Sequence, residues 1–544
     1  MVKNGITLLS GIDPVRRAEK TADSVSLNDR TLYFCPSPIY GYGLSRLLSR
    51  LEKEAPGSAV LCVEADNELY KIAMESIESS VIENKKLLLT NECDNQKLFS
   101  LIRGMWGAGT FRRIEIIRFT GGYQLFPQLY DSLCDHLRRE ASAGLSNALT
   151  LAKLGRLYIR NAIRNLVLLE QFPSVSQMSF GDTPVLVLGA GPSLDKVLDF
   201  LPEHRQFKII CVDTCLCALK DRNIVPDLAV ILESQHWNLR DFIGCRGWNV
   251  PAAMDLSSLP ASAKKLGGAG FLFFTPWTQL RIFERLHSAG LLPEIIPPLG
   301  SVGLTAVELA RRLTSGNIIC AGIDFSFTAD KYHARSTPGH RFGLNFQTRL
   351  RRILNTAAYE ETSFAAVSKS GISVHSNPGM KKYRALFEQE FSGDLRIFDI
   401  EGTGLPLGVK TLSMEEAMDV LKINTEDLTR GRGVCGERRE EFKFSSFPTP
   451  ASSASLRPCE NSSGINAFLK NERKLLEELR GILIGETAMD AERLNVLITE
   501  CDYLWAHFPD YAGGSQSGNN PDINDISFLK RVRTEIDPML KLLS

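Results

Sequence analysis

Short, wholly apolar runs punctuate the middle of the chain, and amphipathic stretches fill the gaps between them. Residues 185–188, 208–212, 228–232, 271–275 and 317–322 each read as a strand buried on both faces. Apolar residues recur at helical spacing in 216–222 and 304–313. Strands alternating with helices at these intervals predict a doubly wound parallel sheet, an α/β, Rossmann-like core, over 181–412. A late strand at 374–377 and a turn through 398–402 close that core. Before it, strands at 31–35, 59–63 and 114–119 predict a smaller α/β domain over 1–125, and 126–180 reads as a helical connection. After it, 413–544 turns helical, with amphipathic stretches at 465–483, 489–508 and 526–543, a Ser/Pro-rich linker at 447–463 and a loose loop at 513–520.

Composition narrows the class. A chain of 544 residues exceeds one ordinary core, so two to four domains are expected. Its 44% hydrophobic and 23% charged content is that of a soluble globular protein. Lys+Arg and Asp+Glu both number 63, and a zero net charge argues against a dedicated nucleic-acid binder. The twelve cysteines are scattered without a Cys-x-x-Cys pair, which argues against zinc and for reduced thiols. No apolar run reaches the length of a membrane span, and the cluster Ile6–Leu9 is too short for a signal segment. A cytoplasmic location follows as the expectation.

Candidate chemistry gathers at the ends of the apolar runs. Gly189, Gly191, Pro192 and Ser193 follow the first core strand, and Leu194, Val197 and Leu198 continue at helical spacing. Such a strand, turn and helix present backbone N–H groups and a positive dipole end, which suit a phosphate. The motif is neither a dinucleotide fingerprint, since Leu194 stands where a third glycine belongs, nor a Walker loop. Asp213, Glu233 and Asp324 follow other strand ends, and Ser301 opens a helix on the same predicted edge. In open α/β sheets ligands bind outside the carboxyl ends of strands. The polar segment 326–340 reads as a catalytic lid, carrying His333 as the candidate general base and His340 as its rival among eight histidines. In the first domain Glu64 and Asp66 stand where a ribose would sit after the turn Tyr40–Gly43, but Pro36 and Pro38 interrupt it, and a scaffold is expected. Arg156, Arg160 and Arg164 read as a solvated helix face.

Four stretches carry a family resemblance: Gly-Ala-Gly-Pro-Ser-Leu-Asp at 189–195, Ile-Val-Pro-Asp-Leu at 224–228, Gly-Ser-Val-Gly-Leu-Thr-Ala at 300–306, and Ala-Gly-Ile-Asp-Phe-Ser-Phe-Thr at 321–328. They resemble the motility accessory factor family of flagellin glycosyltransferases, whose core domain is also named after a 6-hydroxymethylpterin diphosphokinase. The core is further similar to bacterial sialyltransferases that use CMP-sugars. Two departures stand out: Glu233 where the family more often has aspartate, and Asp213 where the sialyltransferases have an asparagine on the nucleotide.

The resemblance implies transfer of a nonulosonic, sialic-acid-like sugar from its CMP-activated form to Ser or Thr of flagellin. Donor-binding residues would be Gly189, Gly191, Pro192, Ser193, Asp213, Glu233, Ser301, Gly303 and Thr305, and catalytic ones His333, Asp324 and His340. No resident cofactor, nucleic acid or membrane is implied. Two alternatives stay open. One is pyrophosphate transfer from ATP, in which Glu233 and Asp324 would hold Mg²⁺; the other is a non-catalytic flagellin-binding factor.

Overall fold

The computed structural model describes residues 1–107, 110–201, 205–350, 355–421, 462–486, 490–511 and 521–543. The linker expected at 447–463 lies outside these residues up to 461, as does the loop expected at 513–520. The chain divides into two compact units. One comprises Met1–Arg156, Thr278–Ile282 and Glu478–Asp537; the other comprises Leu157–Trp277, Phe283–Glu477 and Pro538–Ser544. Among the described residues no helix is long and apolar enough to cross a membrane.

The first unit holds four parallel strands, β1 (Thr31–Pro36), β2 (Ala59–Val63), β3 (Leu87–Thr90) and β4 (Arg113–Ile116), in the order β3-β2-β1-β4. β1 and β2 are buried along their whole length, and the helix Leu44–Glu54 lays Leu44, Leu47, Leu48 and Leu51 on the sheet. Asp66 caps the helix Asn67–Ser76 and pairs with Lys3 at 2.6 Å, so the carboxylate at the ribose position serves the fold itself. The segment from Pro127 to Leu166 is one helix of 40 residues.

The second unit is built on eight parallel strands. In chain order these are β5 (Val185–Leu188), β6 (Lys208–Val212), β7 (Leu228–Ile231), β8 (Val250–Asp255), β9 (Gly267–Phe273) and β10 (Ile318–Ala321). An antiparallel hairpin follows, β11 (Phe364–Val367) and β12 (Ser373–Ser376), and then β13 (Ile397–Ile400) and β14 (Lys410–Leu412) return to the sheet. The sheet order is β9-β8-β7-β6-β5-β10-β13-β14. The core is therefore Rossmann-like, as the alternation of apolar runs predicts. β5, β7 and β10 are wholly buried, as strands covered on both faces must be. The chain winds outward from β5 to β9, then crosses back to lay β10 on the other side of β5. That reversal makes the carboxyl edge between β5 and β10 a topological switch point, where such sheets open a crevice.

β8 carries no clear strand pattern. Its second residue is Pro251, which cannot donate to a ladder, and the pairing with β9 shifts register between Val250 and Ala252. β9 accommodates the shift because a Cβ on Gly268 would sit 2.3 Å from the Val250 carbonyl carbon. The loops that follow β7 and β8 are held from below by two buried asparagines. Asn161 donates to the carbonyls of Ser234 and Ser257 at 3.0 and 3.1 Å, and Asn165 to those of Leu256 and Ser258 at 2.9 and 2.8 Å. Replacing Asn165 with alanine strands two buried carbonyls. We expect Asn165→Ala to lower stability by about 1–3 kcal/mol, read as a shift of the urea midpoint.

Candidate functional site

The carboxyl edge is organised around Asp324, which follows β10 and is 2% exposed. Its Oδ2 accepts the Ser193 N–H at 2.7 Å and its Oδ1 the Ser193 hydroxyl at 2.5 Å. The loop after β5 can approach this closely only without side chains. A Cβ on Gly191 would lie 2.5 Å from Asp324 Oδ2, and one on Gly322, at φ +69°, would lie 2.2 Å from the Gly189 carbonyl oxygen. Pro192 is buried in the same turn. The loop's amides are used internally. Gly189 N–H donates to Ala321, Gly191 N–H to Gly322 and Leu194 N–H to Gly191, at 2.8, 2.8 and 3.1 Å. With Ser193 N–H on Asp324, the donors expected to cradle a phosphate are spent on fastening β5 to β10.

The open donors lie at the next helix. Ser301 is the N-cap of Val302–Leu313, yet its side chain makes no capping bond. Thr305 instead uses both its N–H and its hydroxyl on the Ser301 carbonyl, at 3.0 and 3.1 Å. Gly303 stands in open space, since a Cβ there would find only Ser301 Oγ at 3.7 Å and Ile323 Cγ2 at 3.9 Å. Ile323 immediately precedes Asp324, so this helix start belongs to the β10 edge. Unsatisfied N–H groups and the helix dipole make it the anion-accepting end of the site.

The lid segment folds back as its sequence predicts. Ala334 N–H donates to the Ala190 carbonyl at 2.9 Å, Lys331 Nζ meets Asp195 at 2.6 Å, and Arg335 N–H meets the same carboxylate at 2.8 Å. His333 is thereby half-buried beside the Gly-rich loop, edge-on to Tyr332 with ring centroids 4.8 Å apart. Burial, and secondarily the Arg240 charge, push its pKa down to about 4. His340 lies in the helix Pro338–Asn345, half-buried, with a buried Nδ1 that has no partner and a pKa lowered mainly by burial.

Asp213, after β6, is 4% exposed and pushed up to about 6 by burial. It accepts Asn238 Nδ2 at 2.7 Å and the Thr214 N–H at 2.9 Å. Asn238 also faces Asp241 at 3.4 Å, whose pKa rises to about 7 through burial and the Asp213 charge. Glu233 is exposed and accepts the Gln235 N–H at 2.9 Å. Three strand spacings, about 14 Å, separate the ends of β7 and β10. Glu233 and Asp324 are therefore not a pair that one Mg²⁺ can bridge, which corrects that part of the diphosphokinase expectation.

Several residues of this edge escape a reading of local pattern. Lys369 and Asp399 form an ion pair of 2.6 Å at 3% and 1% side-chain exposure, and Lys369 N–H donates to Gly404 at 2.9 Å. Asp399 is pushed up to about 7, first by burial. Asp255 ends β8 and accepts the Ser257 and Thr275 N–H groups at 2.7 Å each. Tyr158 and Trp277 meet edge-on at 5.3 Å, and the charges of Glu233 and Asp255 reach the Tyr158 hydroxyl. The only available signal for Asp255 was an acidic residue after an apolar stretch, and Pro251 masks that stretch.

A lidded site on the switch point of a parallel sheet defines the class, a Rossmann-like protein built to hold a ligand at its carboxyl edge. Residues 158–330 match the family described as 6-hydroxymethylpterin diphosphokinase MptE-like. An uncharacterized protein of Treponema pallidum (strain Nichols) is 30% identical over 542 residues, covering 97% of this chain and 90% of that protein. A second uncharacterized Treponema pallidum protein is 30% identical over 83 residues, 15% of this chain and 40% of its own length. The solved structure of the MAf glycosyltransferase from Magnetospirillum magneticum AMB-1 has the same fold. Its TM-score is 0.51 at 14% identity, over 98% of this chain and 83% of that one. The chain belongs to the motility accessory factor family, with an MptE-like core.

Two outcomes follow from the geometry. Gly191→Ala forces a methyl against the Asp324 carboxylate, so it should lower the stability of the second unit by about 1–3 kcal/mol, read by denaturant unfolding. The folded state holds His333 below the ordinary histidine value, so the unfolded chain binds the extra proton between pH 6.5 and about 4. Stability from this residue is full above that window and is lost as pH falls through it. Between pH 7 and 4 the wild type should lose roughly 2–3 kcal/mol more than His333→Gln, in parallel urea titrations.

Proposed function

We propose that the second unit is a glycosyltransferase that moves a nonulosonic, sialic-acid-like sugar from its CMP-activated form to Ser or Thr of flagellin, in the cytoplasm. The observation that carries this reading is the pairing at one strand edge of an uncapped helix start with a lid that holds a neutral imidazole. The MptE-like match and the fold shared with a MAf glycosyltransferase support a sugar transferase over other users of the same sheet. The donor phosphate would sit on the N–H groups at Val302–Leu304, with Gly303 leaving room for it. The Asp213–Asn238 cluster would face the ribose or base.

In the reaction the acceptor hydroxyl attacks the anomeric carbon, the bond to the CMP phosphate breaks, and CMP leaves with the electron pair. His333 would take the hydroxyl proton. An imidazole at about 4 is a weak base, and the Arg240 charge contributes to that value. A bound phosphate would offset that charge and bring His333 toward the operating pH, where a general base works best.

His333→Ala should lower turnover by roughly 10²–10⁴-fold while leaving CMP affinity nearly unchanged. Gly303→Val, by contrast, should fold normally and weaken CMP binding by at least about tenfold, measured by calorimetry. The decisive measurement is the intact mass of flagellin from cells with and without the protein. A mass gain of one nonulosonic acid residue per modified site supports the reading. Flagellin binding without a mass gain would leave a non-catalytic factor. The family description favours a second reading, and ATP- and Mg²⁺-dependent diphosphorylation of a pterin alcohol would establish it instead.

A further inference from the structure

Away from the sheet edge, the first unit contains a cavity of about 390 Å³ lined by Lys153, Arg156, His507, Phe508, Arg531 and Glu535, among others. We propose that it binds a small phosphate monoester, with the phosphate on the cationic wall and the ester's apolar body on Phe508. This site is independent of the transferase reading.

The lining is cationic in excess. Arg156 pairs with buried Glu535, and Arg531 pairs with Asp510 at 2.7 Å while lying 4.1 Å over the Phe508 ring. Lys153 is exposed on the long helix and has no ion-pair partner. Three cations thus face one lining carboxylate.

His507 supplies a second, independent observation. It is 9% exposed, and Arg156 Nε donates to its Nε2 at 3.3 Å. A neutral imidazole that accepts at Nε2 carries its proton on Nδ1. That Nδ1 is buried and has no hydrogen-bond partner. A buried donor without a partner is uncommon in native structures and points to an acceptor supplied from outside the chain.

The helix also makes room for this histidine. Gly155 lies inside the helix Pro127–Leu166, where glycine disfavours helix, and a Cβ there would lie 3.0 Å from His507 Cβ. A cavity of this size lies within the range of small-ligand sites, and three cations with one N–H match the oxyanion of a phosphate.

The test uses the full chain, with phenyl phosphate and inorganic phosphate as probes in calorimetry. Phenyl phosphate should bind one to one and more tightly than inorganic phosphate. Lys153→Met should weaken it by roughly tenfold. Lys153 is an exposed helix residue, so an unchanged Tm without ligand would show that this variant is folded. The Nδ1 proton signal of His507 should shift on binding, and Gly303→Val in the second unit should leave the affinity unchanged. No saturable binding at millimolar phenyl phosphate would overturn the proposal. So would equal affinity for the two probes, or an affinity indifferent to Lys153→Met. Loss of binding in Gly303→Val would assign the probe to the sheet edge and refute the cavity as its site.

Discussion

The second unit depends on one buried carboxylate. Asp324 closes the gap that a doubly wound sheet opens where its strand order reverses, by accepting both the amide and the hydroxyl of Ser193. A charge at 2% exposure is tolerable only if its lone pairs are satisfied and a counter-charge is near. Ser193 supplies the first, and the buried Lys369, whose charge acts on Asp324, supplies the second. The glycines follow from this contact. Gly189, Gly191, Gly322 and Gly404 are the positions where a Cβ would strike the backbone or carboxylate of the opposing segment. The motif that looks like a phosphate cradle is, in this state, a weld between β5 and β10.

That weld moves the ligand-binding work outward. With the loop's amides committed, free donors remain at the start of the helix Val302–Leu313, and the lid anchored through Ala190 and Asp195 sets His333 beside the same edge. Around it, Asp213, Asp241 and Asp399 all have pKa values raised by burial toward 6 or 7. These carboxyl groups are poised to gain or lose protons near neutrality as a ligand enters and changes their surroundings. Raised carboxyls and a lowered histidine on one rim fit a site that binds an anion and then moves a proton.

The two units use similar parallel sheets differently. In the first, β4 crosses to the far side of β1, so it too has a switch point. There the chain spends the edge on itself. Thr120 donates to the Ser37 carbonyl at 2.7 Å, Ser37 donates to Glu64 at 2.7 Å, and Lys3 holds Asp66. Burial pushes Glu64 up to about 7, and its hydrogen bonds stay within the unit. The edge that in the second unit remains open for a ligand is here filled by side chains and the N-terminal residues.

Local pattern was enough to determine the class of fold and the positions of β2, β5 and β6. A strand buried on both faces must be continuously apolar, and that signal lies within a few residues. It also placed Ser193, Asp213 and Asp324 on one edge, because parallel strands all end on the same side. What it could not decide was which polar groups would be spent on one another. The Gly-rich loop's donors, Thr305's hydroxyl and Asp66 are each consumed by partners that lie from a few residues to more than a hundred away. β8 was hidden because Pro251 and a register shift break its pattern, and only pairing with β7 and β9 makes it a strand. The Lys369–Asp399 pair and the exposed Glu233 were likewise settled by tertiary structure. Burial and hydrogen-bond partnership depend on residues brought together from distant parts of the chain, and no local window contains them.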